Sequence, residues 1–207
     1  MTKNISPKVI NRFTLYFSIL IDCIDNEIDY VSSKYISSIL RIDQSQVRKD
    51  FQVLTSQGIC NLGYSTKELK KEIEQYLGFQ KSKDIFIVGA GNLGMALAKY
   101  DHFADYGLNI VALFDIDSSK IGTNSINKPI FHIDRLKNLI ERMNVEIIIL
   151  TVPRKSAQYI ANLLAQTKIK YIWNFTPAVL NVPQNIAVWS ENLIGSFLKF
   201  TLKDKKL

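Results

Sequence analysis

The residues that build disulfides, zinc sites and many catalytic centres are scarce in this chain, which has two cysteines and two histidines among its 207 residues. Cys23 and Cys60 stand far apart with no cluster of Cys or His near either, so the spacing fits neither a disulfide framework nor a zinc site. Long apolar runs are missing too: the longest, IIILTV at 147–152, is far shorter than the roughly 20 residues of a membrane-spanning helix. With no basic-then-apolar leader at its start, the sequence predicts a soluble cytoplasmic protein without a metal site.

Positive charge is in excess, with a net charge of +7, but its distribution does not point to one function. Residues 1–80 hold 10 Lys and Arg against 9 Asp and Glu, whereas residues 81–207 hold 16 against 10. Overall basicity therefore says little about nucleic-acid binding, which has to be argued from individual cations.

The first part of the chain has the periodicity of short helices. Apolar residues recur at spacings of three and four over 9–24, which predicts an amphipathic helix. VSSKYISSIL at 31–40 predicts a second helix, and QSQVRKDFQVL at 44–54 a third. Candidate N-caps precede these two helices: Ser32 or Ser33, and Asp43.

A hairpin is predicted after the third helix. In SQGICNLGYST at 56–66, Gly58 and Gly63 bracket a few apolar residues as they would in a tight turn. A connecting helix that ends at Gly78 follows. Three helices and a hairpin predict a winged helix-turn-helix domain over residues 1–80.

The third predicted helix is the one that a helix-turn-helix protein lays in the major groove of DNA. Ser45, Gln46 and Arg48 are placed to meet base edges, because Arg and Gln match guanine and adenine bidentately. Lys49 is placed as well to reach a phosphate. The alternative is that all four are ordinary solvated side chains on an amphipathic helix.

A glycine-rich turn opens the second half of the chain. In DIFIVGAGNLG at 84–94 a buried strand runs into G-x-G-x-x-G and then directly into a helix, the arrangement that cradles a dinucleotide pyrophosphate. The predicted pyrophosphate-binding residues are Gly89, Ala90, Gly91, Asn92, Leu93 and Gly94.

An acidic residue ends the next predicted strand, NIVALFD. Asp115 stands 21 residues beyond Gly94, where a carboxylate hydrogen-bonds the adenine ribose and repels a 2′-phosphate. We therefore expect NAD(H) rather than NADP(H), with Ile116 and Asp117 in the same site. The alternative is that Asp115 is a turn residue beside Asp117.

Strands and helices continue to alternate, which predicts a Rossmann-type doubly wound parallel sheet over residues 81–190. The carboxyl ends of its strands face the ligand crevice. Two groups of residues are thereby predicted near the nicotinamide: Thr151, Val152 and Pro153, and Asn174, Phe175 and Thr176.

A dehydrogenase would also need a general acid or base and a substrate pocket. The two histidines, His102 and His132, are not at predicted strand ends, and no further domain follows the sheet. The sequence therefore predicts no catalytic residue, and a nucleotide that acts as a signal for the DNA-binding part.

Several motifs stand in order along nearly the whole chain: QVRKD at 46–50, LGY at 62–64, VGAGNLGMALAKY at 88–100, ALFDID at 112–117, TVP at 151–153 and NFTPAVLNVP at 174–183. Together they resemble the redox-sensing transcriptional repressor Rex family. The resemblance implies a homodimer that binds a palindromic DNA operator when NAD+ dominates and leaves it when NADH binds. It also implies that a C-terminal helix within 191–207 is swapped between the two copies, with the apolar stripe Leu193, Ile194, Phe197, Leu198 and Phe200 in the interface.

The resemblance carries particular roles to particular residues. Gln46, Arg48 and Lys49 match the recognition helix, and Tyr64 matches the wing. Arg12 matches a first-helix arginine that pairs with an aspartate at the start of the partner's swapped helix. Tyr100 matches a tyrosine that moves with the redox state of the nicotinamide.

The chain departs from the family pattern at three places. Cys60 stands where the wing has an arginine, and Ser6 where a proline is usual. Asn192 stands where the switch has its aspartate, with Glu191 beside it, so the pair with Arg12 is lost, weakened, or taken over by Glu191. Two readings follow: an NADH-responsive repressor, or a divergent nucleotide-binding regulator with a lost or altered redox response.

Overall fold

The computed structural model describes residues 5–122 and 127–203, without the side chains of Phe200 and Lys203. The chain divides into two compact units, Met1–Lys81, here called the helical unit, and Ser82–Leu207, here called the sheet unit. In these described ranges, every helix is too short or too polar to cross a bilayer.

The helical unit is built around its first and last helices, which pack against each other. Phe13, Phe17 and Leu20 of the first helix are fully buried, as are Leu69 and Ile73 of the last. The elements are α1 (Pro7–Asp25), β1 (Tyr30–Val31), α2 (Ser33–Leu40), α3 (Gln44–Phe51), β2 (Tyr64–Ser65) and α4 (Thr66–Leu77), with β1 and β2 antiparallel.

Side-chain caps set where these helices begin. Ser6 caps α1 with Pro7 at the first helical position, where a missing N–H costs nothing, so the departure from the family pattern at this point still starts a helix. Ser32, not Ser33, caps α2 by accepting the Tyr35 N–H at 3.0 Å. Asp43 caps α3 as predicted.

The third helix ends earlier than its apolar pattern predicts, at Phe51 instead of residue 54. Glu72 of α4 accepts the N–H and hydroxyl groups of both Thr55 and Ser56 at 2.7–2.9 Å. These four hydrogen bonds draw the chain away from the helix axis, so Leu54 lies in a turn.

The predicted hairpin is present but small. Its two sides meet in a single bridge between Ile59 and Gly63, with the tip formed by the residues between them. Gly63 has φ +102°, and a Cβ there would overlap the carbonyl oxygen of Val31. Only glycine therefore lets the hairpin return this close to β1.

The sheet unit contains six parallel strands in the order β5-β4-β3-β6-β7-β8, which is the Rossmann order with its switch point between β3 and β6. The strands are β3 (Lys83–Val88), β4 (Leu108–Asp115), β5 (Ile130–His132), β6 (Ile147–Leu150), β7 (Tyr171–Asn174) and β8 (Ala187–Ser190), and the helices are α5 (Asn92–Ala98), α6 (Leu136–Met143), α7 (Arg154–Leu164) and α8 (Leu193–Lys203). Buried residues line both sheet faces, for example Phe86 and Phe114 on one and Ile87 and Leu113 on the other. The doubly wound prediction is confirmed.

One expectation about this unit needs correction: His132 is the last residue of β5, a three-residue edge strand too short to be recognised by its pattern. The helix after the glycine-rich turn ends at Ala98, and a separate 3-10 turn covers Asp101–Tyr106. Residues 204–207 of the predicted C-terminal segment lie outside the described residues.

Candidate functional site

The glycine-rich turn lies between β3 and α5, at the switch point of the sheet. Gly91 is the N-cap of α5, no side chain caps this helix end, and a Cβ on Gly91 would meet nothing within 4 Å. Backbone N–H groups at a helix start carry partial positive charge. The turn therefore offers an open approach for an anionic group.

Thr151, at the end of β6, supports this turn from beneath. Its hydroxyl donates to the carbonyl oxygens of Gly89 at 2.8 Å and Val88 at 3.2 Å. Gly89 has φ +108°, and a Cβ there would lie 2.8–2.9 Å from the backbone and Oγ1 of Thr151. A Cβ on Gly94 would overlap the Gly89 carbonyl oxygen. The three residues thus interlock in a way that tolerates no side chain on either glycine.

Asp115, at the end of β4, is held by groups of the protein. Its Oδ2 accepts the Ala90 N–H at 2.8 Å and lies 3.1 Å from Lys120 Nζ, and its Oδ1 accepts the Asp117 N–H at 2.9 Å. Burial by itself raises the pKa of this carboxyl, but the hydrogen bonds from Asp117, Lys120 and Ala90 outweigh it, so the pKa is lowered. Asp115 is an ionised acceptor tied to the glycine-rich turn.

These groups surround a cavity of about 530 Å³ at the carboxyl ends of β3, β4 and β6. The sequence-predicted residues that line it are Gly89, Gly91, Asp115, Ile116, Asp117, Thr151, Val152 and Pro153. Ala90, Asn92, Leu93 and Gly94 belong to the same turn and helix start without lining the cavity. Lys120 and Ser156 also line it and were not predicted, although a cation five residues after Asp115 was a usable signal.

The second group predicted near the nicotinamide, at the end of β7, borders a different cavity of about 390 Å³ between the turn after β7 and the start of α8. Phe175 and Thr176 line it. Asn174 is fully buried, and its amide is occupied: Nδ2 donates to Ala178 O and Ser190 Oγ, and Oδ1 accepts the N–H and hydroxyl of Thr176. Asn174 therefore shapes this turn and has no free group for a ligand.

The three residues with predicted switch roles in this unit have distinct environments. Glu191 Oε1 accepts the indole N–H groups of Trp173 at 2.8 Å and Trp189 at 3.0 Å. Asn192 Oδ1 accepts the Gly195 N–H at 2.7 Å and so caps the start of α8. Tyr100 is 54% exposed, with its ring 5.1 Å from the Phe103 ring.

In the helical unit, a buried carboxylate on α3 organises the candidate DNA-reading helix. Asp50 receives Arg12 bidentately (Nε to Oδ2 at 2.5 Å, Nη2 to Oδ1 at 2.7 Å), the Tyr16 hydroxyl at 2.7 Å and the Gln46 amide at 2.8 Å. Burial raises the pKa of Asp50, but the hydrogen bonds from Arg12, Tyr16 and Gln46 outweigh it and lower the pKa. Hydrogen bonding to Asp50 raises the pKa of Arg12, and burial raises that of Tyr16.

The predicted DNA-contacting residues separate into two groups. Ser45, Arg48 and Lys49 are exposed on α3, and Arg48 Nε lies 3.3 Å from Ser33 Oγ. Gln46 is half-buried and gives its amide to Asp50.

Tyr64 is half-buried as well. Its ring packs edge-on against Phe51 at 5.1 Å, and it lies so close to Gly58 that a Cβ there would be 3.1 Å from the ring. Tyr64 therefore joins the hairpin to α3.

No group of three or more His, Cys, Asp or Glu side chains that could hold a metal ion occurs in the described ranges. His102 pairs with Asp105 at 3.0 Å, and His132 with Asp134 at 2.9 Å. Both histidines thus lie beside surface carboxylates.

Known proteins resemble the chain over its whole length. Residues 4–52 match the family described as putative DNA-binding protein N-terminus, and residues 80–178 match the CoA binding domain. The chain is 38% identical over 199 residues to the redox-sensing transcriptional repressor Rex of Clostridium botulinum, covering 96% of this chain and 95% of that protein. It is 39% identical over 207 residues to the Rex of Caldicellulosiruptor saccharolyticus, covering 99% and 94%.

Solved structures agree. The crystal structure of RSP, a Rex-family repressor, in complex with NAD+ and operator DNA matches with a TM-score of 0.85 and 30% identity over 99% of this chain and 94% of that one. The RSP complex with NADH matches with a TM-score of 0.82 at the same identity, over 99% and 96%. The chain therefore belongs to the redox-sensing transcriptional repressor Rex family.

Proposed function

We propose that the chain is a DNA-binding transcriptional repressor that senses the NADH/NAD+ ratio, holding a palindromic operator when NAD+ dominates and releasing it when NADH binds. The observation that carries this proposal is the cavity at the sheet switch point, bounded by an open glycine-rich turn and an ionised Asp115, in a chain that also presents Ser45, Arg48 and Lys49 on an exposed helix. The relatives of known structure bind both nucleotides and operator DNA.

The described residues fit NAD(H). The turn from Gly89 to Gly91 would hold the pyrophosphate, and Asp115 would accept ribose hydroxyl groups and repel a 2′-phosphate. The nicotinamide would lie toward the turn after β7, near Phe175 and Thr176. The nucleotide supplies a ring whose charge and planarity change on reduction, and only contacts that differ between its two forms can shift the protein's conformation.

For DNA, Ser45 and Arg48 are assigned to base edges and Lys49 to a phosphate. One amide N–H of Gln46 is taken by Asp50, so we assign this residue first to the shape of α3. Double-stranded operator DNA as the partner implies that the protein acts in the cytoplasm. We assign it no catalytic role, since its relatives are transcriptional repressors.

A homodimer is part of the proposal. In α8 the side chains of Leu193, Ile194, Phe197 and Leu198 are 48–72% exposed, an apolar surface that the sheet unit leaves uncovered. An apolar helix face of this kind is stable in water when a second copy buries it. We propose that α8 is swapped between copies.

The divergent reading, a nucleotide-binding regulator with an altered redox response, is favoured by Asn192, a neutral cap at the position of the switch aspartate. Glu191 is the charged group beside it. We therefore assign the acidic end of the switch to Glu191. In this assignment the carboxylate of Glu191 from a second copy competes with Asp50 for the guanidinium of Arg12.

The test is operator binding, measured by fluorescence anisotropy at fixed salt on a palindromic AT-rich site, while NADH or NAD+ is titrated. NADH should release the DNA at a concentration well below that of NAD+. Asp115→Ala should raise the NADH concentration needed to release the DNA. The control Asp84→Ala, near the start of β3 and away from the glycine-rich turn, should not raise it. Tight binding that ignores both nucleotides would establish the divergent reading.

A further inference from the structure

The two tryptophans of the sequence share one carboxylate. Trp173 in β7 and Trp189 in β8 are register partners in neighbouring parallel strands. Both indole N–H groups donate to Oε1 of Glu191, at 2.8 Å and 3.0 Å. Charge-assisted hydrogen bonds are stronger than neutral ones, and two of them meeting at one oxygen restrict the carboxylate. We call these three residues the indole clamp.

The backbone of Glu191 is fixed at the same point. Its N–H donates to the carbonyl oxygen of Asn174 at 2.8 Å, which extends the ladder between β7 and β8 by one bond. The next residue, Asn192, caps α8. The indole clamp therefore lies at the connection between β8 and α8, the helix with the exposed apolar face.

Aromatic contacts connect the clamp to Tyr100, which lies two residues after the end of α5. The Tyr100 ring lies 5.1 Å from the Phe103 ring, and Phe103 lies 5.9 Å from Trp173 in an edge-on contact. Trp173 also packs against Phe175, at 5.1 Å, which lines the cavity before α8. A shift of the turn after β7 thus reaches Trp173 through Phe175, and a shift of Tyr100 reaches it through Phe103.

We propose that Trp173 and Trp189 are positioning residues, whose indole N–H groups hold the charged carboxylate of Glu191 at the start of α8. The redox state of the nucleotide then sets the position of that charge through the position of Trp173. Oε1 is occupied by both indoles, whereas Oε2 accepts no hydrogen bond from the described residues and is the oxygen available to a cation. The proposal rests on the proposed NADH-sensing function, which supplies the two states between which the clamp discriminates.

The clamp itself is tested without DNA or nucleotide. In protein labelled with 15N-tryptophan, two indole N–H signals are expected, assigned with Trp173→Phe and Trp189→Phe. Glu191→Met should move both signals toward solvent-exposed shifts and speed their hydrogen exchange, whereas Glu191→Gln should keep both near their original positions because its carbonyl oxygen can still accept. Signals that do not respond to Glu191→Met would overturn the clamp irrespective of what the protein binds.

The role in sensing is tested by the ratio of the NAD+ and NADH concentrations that release half the operator. Glu191→Met should reduce this ratio at least about fivefold, the lower end of ordinary allosteric coupling. Trp189→Phe, which keeps the ring but removes one donor, should give an intermediate loss. Glu191→Gln, which can still accept from both indoles but has no charge, should lose the ratio as Glu191→Met does. The matched control Glu141→Met, on the exposed side of α6, should leave it unchanged.

Three results count against the proposal. If Glu191→Met or Glu191→Gln keeps the wild-type ratio, the charge of Glu191 does not set the response. If Trp189→Phe keeps it, the indole hydrogen bond does not position that charge. If the wild type itself shows a ratio of one, the NADH-sensing function fails and this role with it, while the NMR signals still report whether the clamp exists.

Discussion

Replacing Asp50 by Asn tests whether the carboxylate on α3 holds the helical unit together. The substitution keeps the shape of the side chain but removes the charge that Arg12, Tyr16 and Gln46 all donate to. The Asp50 side chain is 5% exposed, and breaking a buried ion pair costs about 3–5 kcal/mol. Arg12 is 23% exposed and Asn keeps one acceptor oxygen, so we expect a loss of about 2–3 kcal/mol in the free energy of unfolding at pH 7.

The loss should depend on pH in a defined direction. Because the folded state lowers the pKa of Asp50, its contribution is complete above the unfolded-state pKa of about 4 and disappears as the pH falls through the lower folded-state pKa. Asn does not titrate in this range. The difference in unfolding free energy between wild type and Asp50→Asn should therefore be largest near neutral pH and should shrink in acid below about pH 4.

The assay is urea denaturation followed by far-ultraviolet circular dichroism. Tryptophan emission is the companion probe, because both tryptophans lie in the sheet unit and report its unfolding alone. Asp25→Asn, at an exposed position that ends α1, is the matched control and should change stability by no more than about 0.5 kcal/mol. A loss below that size for Asp50→Asn, or a loss equally large at pH 3 and pH 7, would refute the reasoning.

Three further predictions concern binding and assembly. Gly89→Ala forces a methyl group into a positive-φ position 2.8–2.9 Å from Thr151, which costs about 1–3 kcal/mol of strain, so calorimetry should show NADH binding at least about fivefold weaker; affinity within twofold of wild type would contradict the geometry. Lys49→Ala should weaken operator and unrelated DNA equally and lower the salt slope by about 1 per copy, unlike the control Lys67→Ala; a loss of sequence preference instead would assign Lys49 to a base. Phe197→Ser, on the exposed face of α8, should convert a dimer into a monomer in analytical ultracentrifugation, and an unchanged mass would remove α8 from the interface.

Much of the architecture was predictable because it follows from periodicity and from residues with one dominant local role. The alternation of apolar strands and amphipathic helices, together with the glycine-rich turn, leads directly to the Rossmann sheet. Asp43 at the start of α3 and Gly78 after α4 mark helix ends by local chemistry alone. Three-residue β5 and the early end of α3 were missed, since the first is too short to show a period and the second depends on Glu72, sixteen or more residues away.

The partners of polar side chains were much less predictable, and the reason is physical. A buried polar group must be hydrogen-bonded, but many groups in the chain can satisfy it, and tertiary proximity selects among them. Gln46 and Asn174 both have the amide chemistry that reads a base or a nicotinamide, yet Gln46 is engaged by Asp50 and Asn174 by the turn that it organises. Glu191 is the opposite case, because its hydrogen-bond partners, which the sequence does not reveal, add a candidate role.

The sequence marks Glu191 only as the acidic neighbour of Asn192. Its hydrogen bonds to tryptophan are not visible there, because Trp173 is eighteen residues away. What makes it a candidate for function is that strand register brings Trp173 and Trp189 side by side, with Glu191 within hydrogen-bonding distance of both. The departure from the family pattern at Asn192 removes a charge from the start of α8, and the neighbouring position holds a charge that the sheet itself keeps in place. If the redox response survives in this chain, the indole clamp is the structural reason that an aspartate at position 192 is not required for it.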